Sequence, residues 1–300
     1  MTGLLLMAYG TPRSLDDVEA YLAHIRGGRR PSAEQVRHLQ DRYRRIGGRS
    51  PLDEITRRQA DGVAALLRAR GWPVRPYVGY KHASPFIADV VAQMAAQGVR
   101  RAVGLVLAPQ YSRLSVGVYL EEAAAAAGRA GIALRGIPDW HDHPGFVAAV
   151  AARVGEARRD LPQAPVVFTA HSLPARILSW NDPYPEQLAR TCALVAEQAG
   201  VEEWTLAYQS ASPTGEEWMG PDLLDVLRSL HAAGRRTVVV CPVGFVADHL
   251  EILYDIDVEA ARVAAELGLR LVRTRSPNAD PDFLAALADI VGAWLEEGDR

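Results

Sequence analysis

Four ionisable side chains stand where they could act together on a metal ion or a proton. His171 directly follows the apolar run Val166–Ala170, and Glu251, Asp255 and Glu259 are spaced four residues apart. At about 100° per residue, a helix would carry the three carboxylates within about 80° of one face. One imidazole beside a row of carboxylates, without a thiolate, suits moderate and reversible binding of ferrous iron or magnesium.

Other functions fit parts of this pattern. Ser172 beside His171 suggests a hydrolase, but the G-x-S-x-G nucleophile elbow is absent from the chain. Arginines around Gly27-Gly28 and Gly47-Gly48 suit phosphates as well as carboxylates, which suggests a nucleotide site. Neither G-x-G-x-x-G nor G-x-x-x-x-G-K-[ST] occurs in the sequence, however. The three carboxylates could also form a solvated stripe on a surface helix.

Short apolar runs alternate with helical patterns along the chain, which is typical of βαβ units. Fully apolar strands between helices predict parallel sheets that are covered on both faces. Helical spacing of apolar residues predicts helices over Ser14–Ile25, Ser32–Ile46 and Asp53–Arg70. Strands are predicted at Leu4–Ala8, Val74–Tyr80, Ala102–Ala108, Val166–Ala170, Thr205–Gln209, Thr237–Pro242 and Leu269–Val272.

Two similar segments predict an internal duplication. Tyr80-Lys-His-Ala-Ser-Pro85 follows one predicted strand, and Tyr208-Gln-Ser-Ala-Ser-Pro213 follows another. Ligands of open α/β sheets bind beyond the carboxyl ends of the strands. We therefore expect Tyr9, His171 and the segment after Pro242 to face one cleft.

The fold class predicted from these patterns is α/β, with two Rossmann-like domains, each a parallel sheet flanked by helices, and the active cleft between them. The first domain is expected over residues 1–143 together with a C-terminal helix at about 281–297. The second domain is expected over residues 144–280.

Composition and charge argue against several classes of protein. A net charge of −3 gives no support for a nucleic-acid partner held by bulk electrostatics. No stretch reaches the roughly 20 apolar residues of a membrane span, and the N-terminus lacks a signal-peptide pattern. Cys192 and Cys241 lie far apart without a C-x-x-C motif, so neither a disulfide framework nor an iron–sulfur cluster is predicted. The expected setting is cytoplasmic.

Short motifs along nearly the whole chain resemble those of the ferrochelatase family, in family order. Each motif alone is weak, but the ordered set is specific. The likeness is strongest to the soluble monomeric enzymes of Gram-positive bacteria, which insert iron into coproporphyrin III. The motifs are Leu6-Met-Ala-Tyr-Gly-Thr-Pro12, His24-Ile-Arg26, Asp41-Arg-Tyr43, Ile46-Gly-Gly-Arg-Ser-Pro-Leu52, Leu107-Ala-Pro109, Ala170-His-Ser-Leu-Pro174, Asp182-Pro-Tyr-Pro185 and Pro242-Val-Gly-Phe-Val-Ala-Asp-His-Leu-Glu251.

This resemblance implies a role for each matching residue. His171 and Glu251 are expected opposite each other across a porphyrin cleft, where they would bind the metal and remove the pyrrole protons. Tyr9 is expected to ligate iron on the other face of the macrocycle. Asp255 and Glu259 are expected to form an outer metal site, open to Mg²⁺. The porphyrin would be held by Arg26, Arg42, Tyr43, Ser50 and Tyr119.

The resemblance also implies porphyrin and Fe²⁺ as substrates, no organic cofactor, no iron–sulfur cluster and no apolar membrane anchor. A monomer that hands its product transiently to a coprohaem decarboxylase is expected. Three alternatives stay open: a protoporphyrin IX ferrochelatase, a cobalt or nickel chelatase, and a haem carrier that uses Tyr9 as a ligand. Whether Glu251 binds metal or relays protons is also open.

Overall fold

Two parallel four-stranded sheets form the framework of the computed structural model, which describes residues 1–212 and 215–298. The first sheet has the order β2-β1-β3-β4 and the second the order β6-β5-β7-β8. The predicted pair of Rossmann-like sheets is confirmed, and their matching strand order is what a duplication would produce. Pro213, which ends the second repeated motif, lies outside the described residues. The strands are β1 Thr2–Ala8, β2 Val74–Tyr80, β3 Arg101–Val106, β4 Ala133–Ile137, β5 Val166–His171, β6 Trp204–Gln209, β7 Thr237–Cys241 and β8 Arg270–Arg273.

The helices of the described chain cover the sheets, and none of them combines the length and apolarity that crossing a membrane requires. Two short 3₁₀ helices, Leu15–Asp17 and Ala175–Trp180, and a π-helix, Glu251–Ala260, accompany the α-helices. The α-helices are α1 Val18–Ile25, α2 Ala33–Arg45, α3 Leu52–Ala69, α4 Ile87–Ala96, α5 Val116–Ala130, α6 Pro144–Arg158, α7 Tyr184–Gln198, α8 Leu223–Ala232, α9 Ala261–Glu266 and α10 Pro281–Gly298.

Alternating side chains of β1 enter two different hydrophobic clusters, as the two-residue period of a strand requires. Leu4 and Leu6 join the central cluster, which includes residues of α3, α6, α7, α10 and β5. Leu5 and Met7 pack on the opposite face, with residues of α4 and α5. Because the central cluster contains residues from both sheets, the two halves share one core and hold the ends of their strands in a fixed relation.

The structure corrects the strand prediction at one position. The edge strand Ala133–Ile137 was not predicted, because Arg135 and Gly136 interrupt its apolar pattern. Its side chains are largely half-buried, as an edge position permits. A strand of this kind carries little of the hydrophobic signal that identifies a buried one.

The prediction of an α-helix at the three carboxylates is wrong, because Glu251–Ala260 form a π-helix. Buried Ile252, Ile256 and Ala260 repeat every four residues on its apolar side, just as the carboxylates do. A four-residue period exceeds the 3.6 residues of an α-helical turn, and the i→i+5 hydrogen bonds of a π-helix give a wider turn. The sequence spacing is therefore compatible with either helix.

Polar contacts fix the loop after β3 against α7. The buried Asp182 carboxylate accepts hydrogen bonds from the Ser112 hydroxyl at 3.1 Å and from the Arg113 backbone N–H at 2.8 Å. The Gln110 amide donates to the Thr191 hydroxyl at 3.1 Å. The C-terminal helix α10 contacts both α3 and α6. The predicted domain boundaries stay a prediction.

Arg153 fixes the start of α10, and its substitution tests that docking. Its guanidinium, 3% exposed, donates to Asp280 at 2.8 Å and to Asp282 at 2.9 Å. Because both carboxylates are partly exposed, we expect Arg153→Met to lower the free energy of unfolding by about 1–3 kcal/mol in urea denaturation. The exposed Arg275 also contacts Asp280, and Arg275→Met should cost less than about 1 kcal/mol. Equal losses would contradict this account.

Candidate active site

The candidate site lies beyond the carboxyl ends of the two central strands, where ligands of open α/β sheets bind. Tyr9 follows the last residue of β1, and His171 is the last residue of β5. The two residues therefore occupy equivalent places in the two halves of the molecule. The hydroxyl of Tyr184 donates to the backbone carbonyl of His171 at 2.9 Å, which fixes the end of β5.

A glycine brings the loop after β7 close to this strand end. A Cβ atom on Gly244 would lie 2.6 Å from the Cβ of Ala170. This is too close for two carbon atoms that are not bonded to each other, so no side chain fits at this position. The Gly244 backbone N–H donates to the carbonyl of Thr169 at 3.1 Å. This close approach places the start of the π-helix, and with it Glu251, beside His171.

The Glu251 carboxylate lies between two imidazoles. Its Oε1 is 3.5 Å from Nε2 of His171, and its Oε2 is 3.7 Å from Nε2 of His249. His171 and Glu251 are therefore in contact within one half of the molecule, and the expectation that they lie opposite each other across the cleft is wrong. His249 was missed in the sequence analysis, although it stands two residues before Glu251.

Both imidazoles are oriented by backbone carbonyls. The Nδ1–H of His171 donates to the carbonyl of Ser172, and the Nδ1–H of His249 donates to that of Ala247 at 3.0 Å. A carbonyl oxygen can only accept, so each Nδ1 carries its proton. Each Nε2 is left to face Glu251, where it can hold a proton, release it or bind a metal.

The electrostatics of the pair favour an imidazolium and a carboxylate. Burial alone would lower the pKa of His171, but the negative charge and hydrogen bond of Glu251 outweigh it and raise this pKa to about 9. Burial would raise the pKa of Glu251, but His171 and His249 hold it well below its ordinary value. At neutral pH the resting pair is therefore charged, and His171 must lose a proton before it can accept one.

The second repeated motif supports the carboxylates from the neighbouring strand. Gln209 pairs with His171 in the register of β5 and β6, and its amide donates to the backbone carbonyl of Glu251 at 3.0 Å. The next residue, Ser210, donates its hydroxyl to the Asp255 carboxylate. The repeat signalled these two residues in the sequence, but their role in holding the π-helix needed the structure.

Asp255, the middle carboxylate of the predicted row, is buried. Burial first, and then the charges of Glu251 and Glu259, raise the pKa of Asp255 to about 6 against the opposing effects of Arg42 and Ser210. The guanidinium of Arg42 forms an ion pair with Asp255. Its Cζ also lies 4.6 Å from the centroid of the Tyr254 ring. Arg42, expected to hold the porphyrin, is here bound to the acidic row.

The first half presents an aromatic and largely neutral surface. The ring of Tyr9 lies 4.6 Å from the ring of His82, and Nδ1 of His82 is 3.0 Å from Nδ1 of His24. Burial and then the charge of Lys81 lower the pKa of His82 to about 3. Burial and then the negative charge of Glu251 raise the pKa of Tyr9 above its ordinary value. Tyr9 and His82 are therefore neutral at neutral pH.

The two halves meet beside the site, since Tyr43 of α2 and Leu250 before the π-helix belong to one buried cluster. Besides Tyr9, the charge of Glu251 raises the pKa values of Tyr43 and Tyr119, in each case after the larger effect of burial. The Tyr43 hydroxyl shares a 3.0 Å hydrogen bond with the Thr11 hydroxyl. The Lys81 ammonium lies 5.1 Å from the centroid of the Tyr119 ring. These phenols line the region but are themselves largely buried.

Ser50 and Arg26, also expected to hold the porphyrin, differ in whether they have a polar group free to bind it. The buried Ser50 hydroxyl accepts the backbone N–H of Leu52 at 3.2 Å, at the start of α3. Arg26 is half-buried, and its Nε has no hydrogen-bond partner in the described structure. Of these two, Arg26 is the one with a buried donor left for a ligand.

The site is not a preformed metal cage. Within residues 1–212 and 215–298, no group of three or more His, Cys, Asp or Glu side chains is arranged to hold a metal ion. His171 and His249 each lie at ion-pair distance from Glu251. Divalent iron bound beside Glu251 would have to displace the imidazolium proton of His171. An incoming ligand could then supply the donor atoms that the protein lacks.

The charged pair makes a prediction that can be measured directly. In ¹⁵N–¹H NMR spectra of the histidine rings, we expect His171 to titrate with a pKa of about 9. In Glu251→Gln this pKa should fall to its ordinary value of about 6.5 or lower, because burial remains while the attraction is lost. At a fixed pH, the ring signals of the exposed His38 should be the same in both proteins. Titration of His171 near 6.5 in the unsubstituted protein would refute the charged pair.

Two solved structures superpose on nearly the whole of this chain. SirB from Bacillus subtilis, solved with Fe³⁺, superposes with a TM-score of 0.59 over 97% of this chain and 94% of its own, at 14% sequence identity. CbiX, described as the terminal enzyme of sirohaem biosynthesis in denitrifying bacteria, superposes with a TM-score of 0.55 over 97% of this chain and 98% of its own, at 15% identity. At these identities the likeness shows the fold alone.

Sequence comparison gives the family. The sequence pattern of the ferrochelatase family matches this chain over residues 1–294. The coproporphyrin III ferrochelatase of Geobacillus kaustophilus is 46% identical over 99% of this chain and 98% of its own length. The ferrochelatase of Herpetosiphon aurantiacus is 44% identical over 97% of this chain and 98% of its own. With its family motifs, its chelatase fold and an ionic site at the strand ends, the chain belongs to the ferrochelatase family.

Proposed function

We propose that this ferrochelatase inserts Fe²⁺ into coproporphyrin III and releases two protons, giving Fe-coproporphyrin III. The observation that carries the proposal is the Glu251 carboxylate, held between His171 and His249 and facing a neutral aromatic surface that includes Tyr9. Such a cleft offers a polar, proton-accepting side and an apolar side to a flat macrocycle. Similar proteins that carry the name coproporphyrin III ferrochelatase support the choice of porphyrin.

The proton balance defines what the pair must do. Metallation replaces two pyrrole N–H protons with one divalent ion, so two protons leave for each iron that enters. His171 rests as an imidazolium, and an approaching divalent cation lowers the pKa of a neighbouring cationic acid. We propose that iron beside Glu251 displaces the His171 proton to solvent, which frees Nε2 to take one pyrrole proton. The second pyrrole proton leaves by the same base after Nε2 has released the first to solvent. Iron binding and base activation then occur together.

Distortion of the ring is the second requirement. A flat porphyrin keeps its nitrogen lone pairs in the ring plane, and bending it exposes one of them to the metal. Binding energy from the remote carboxylates can supply a few kcal/mol of such strain. In this proposal Arg26 holds one of these carboxylates, because its buried Nε lacks a partner in the described structure. Tyr9 faces the opposite side of the ring and can ligate the inserted iron.

The outer residues have a supporting role in the same proposal. Asp255 and Glu259 would guide iron toward Glu251 or hold Mg²⁺, and Tyr43, Ser50 and Tyr119 would line the porphyrin. While Arg42 is paired with Asp255, that carboxylate is not free to bind a divalent ion. A monomeric state, a cytoplasmic setting and handover to a coprohaem decarboxylase are proposed on the family resemblance alone.

The role of the pair can be tested by turnover. We expect His171→Ala and Glu251→Gln to lower kcat for iron insertion into coproporphyrin III by at least about 100-fold, the usual effect of losing a general base. Turnover would be followed anaerobically by porphyrin absorbance, and porphyrin binding by fluorescence. Binding should change little, because the carboxylate contacts lie elsewhere.

The exposed His38 provides the matched control, and His38→Ala should retain full turnover. A folded His171→Ala variant that kept most of its activity would remove His171 from the mechanism. A protein that bound the metallated product but turned over no apo-porphyrin would be a carrier instead.

The choice of porphyrin is a separate prediction. Coproporphyrin III has four propionates, whereas protoporphyrin IX has two, so we expect a higher kcat/KM for coproporphyrin III. A lost charge-assisted contact costs roughly 1.5–3 kcal/mol when buried and less when water reaches it. Arg26→Ala should therefore weaken binding and narrow the preference, whereas Arg37→Ala, on the exposed face of α2, should change neither. Equal kcat/KM values for the two porphyrins would place the enzyme in the protoporphyrin branch.

A further inference from the structure

Arg42 joins the two halves of the molecule at the acidic row. It lies on α2 in the first half, and its guanidinium is paired with Asp255 on the π-helix of the second half. The same guanidinium lies over the ring of Tyr254, 4.6 Å from its centroid. A single cation thus spans the region between the helix expected to bind porphyrin and the carboxylates expected to bind metal.

Packing holds Arg42 at this position. A small buried cluster lies between α1, α2 and the start of the π-helix, and it consists of Val18, Tyr43 and Leu250. Tyr43 directly follows Arg42, and the positive charge of Arg42 lowers the pKa of Tyr43 against the larger effect of burial. The guanidinium is therefore close to the phenol of Tyr43. The charge of Glu251 also acts on this phenol, so Arg42 lies near the cleft.

The ion pair decides how the acidic row meets a divalent cation. Asp255 has a side chain only 9% exposed, and it lies close enough to Glu251 and Glu259 for their charges to act on it. While Arg42 is bound, a resident positive charge occupies the middle carboxylate. An approaching divalent ion then meets less negative charge, and it also meets the repulsion of the guanidinium.

A porphyrin carboxylate is a competing partner for this guanidinium. The side chain of Arg42 is 22% exposed, and its Nε is buried without a hydrogen-bond partner. A guanidinium can bind a second carboxylate through a pair of parallel hydrogen bonds. Coproporphyrin III would bring four carboxylates into the cleft, each able to compete with Asp255.

We propose that Arg42 is a latch on the acidic row, which a propionate of the bound porphyrin opens by taking the guanidinium from Asp255. This inference rests on the proposed function, since it needs a porphyrin that carries carboxylates. Arg42 acts through Asp255 and is a positioning residue. With the latch closed, the row binds divalent metal weakly; with the porphyrin seated, Asp255 and Glu259 are free to bind it. Porphyrin therefore binds before the metal.

The test measures metal binding without turnover. Mn²⁺ serves as the probe, and the loss of its free EPR signal gives the Kd with the full-length protein. Zinc coproporphyrin III serves as a porphyrin that is already filled and cannot take up the probe. In the unsubstituted protein we expect this porphyrin to tighten Mn²⁺ binding at least about tenfold. Its tetramethyl ester, which lacks carboxylates, should have no such effect.

Substitutions separate the latch from a general charge effect. Arg42→Gln should bind Mn²⁺ tightly with or without zinc coproporphyrin III, and adding Asp255→Asn should abolish that tight binding. Arg44 lies two residues away and pairs with Asp41 on the exposed side of α2, so Arg44→Gln removes the same charge and should behave like the unsubstituted protein. Circular dichroism and fluorescence titration confirm that each variant is folded and binds the zinc porphyrin.

Three results would overturn the latch: equal Mn²⁺ affinity with and without zinc coproporphyrin III, Mn²⁺ binding by Arg42→Gln as weak as that of the unsubstituted protein, or tightening by the tetramethyl ester. Failure of the proposed function would be seen separately, as absence of iron insertion into apo-coproporphyrin III. Because the binding measurement needs no turnover, the two failures cannot be confused.

Discussion

A carboxylate that loses water must be compensated by positive charge and hydrogen bonds, and Glu251 is the carboxylate on which this site depends. Two imidazoles supply the compensation, one at each oxygen, and each imidazole is fixed in turn by a backbone carbonyl. The arrangement leaves both Nε2 atoms directed at one point. Any change that moved the loop after β7 away from the end of β5 would break it, and the small size of Gly244 allows that approach.

The matching strand orders of the two sheets give two equivalent strand ends, and the two halves use them differently. After β2, the motif that begins with Tyr80 places His82 beside Tyr9. Burial and then the charge of Lys81 lower the pKa of His82, so its ring is neutral, as the phenol of Tyr9 is. After β6, the related motif provides Gln209 and Ser210, which hold the backbone and the carboxylates of the π-helix. The result is a cleft with a largely uncharged aromatic side and an ionic side. A cation entering this cleft is attracted to the second half, while an apolar ring can lie against the first.

The sequence predicted the framework because parallel strands buried on both faces have a strong hydrophobic signal. Seven strands were located within a few residues, whereas Ala133–Ile137 was missed because an edge strand needs little apolar character. His171 and Glu251 could be selected from residue type and position. Three features could not be predicted from the sequence, because each depends on contacts between segments far apart in the chain. They are the role of His249, the width of the helix after it and the partner of Arg42.

A chelatase must release the metal that it binds. A site with several fixed ligands would bind iron tightly and would have to release it against that affinity. Here the resting positive charges are protons on His171 and the guanidinium of Arg42, and both can be exchanged. In the proposed mechanism, an incoming divalent ion beside Glu251 displaces the proton of His171, so the free energy of metal binding is partly used to produce a base. In the same proposal that base takes a proton that blocks the ring, and the ring nitrogens complete the coordination that the protein leaves unfinished.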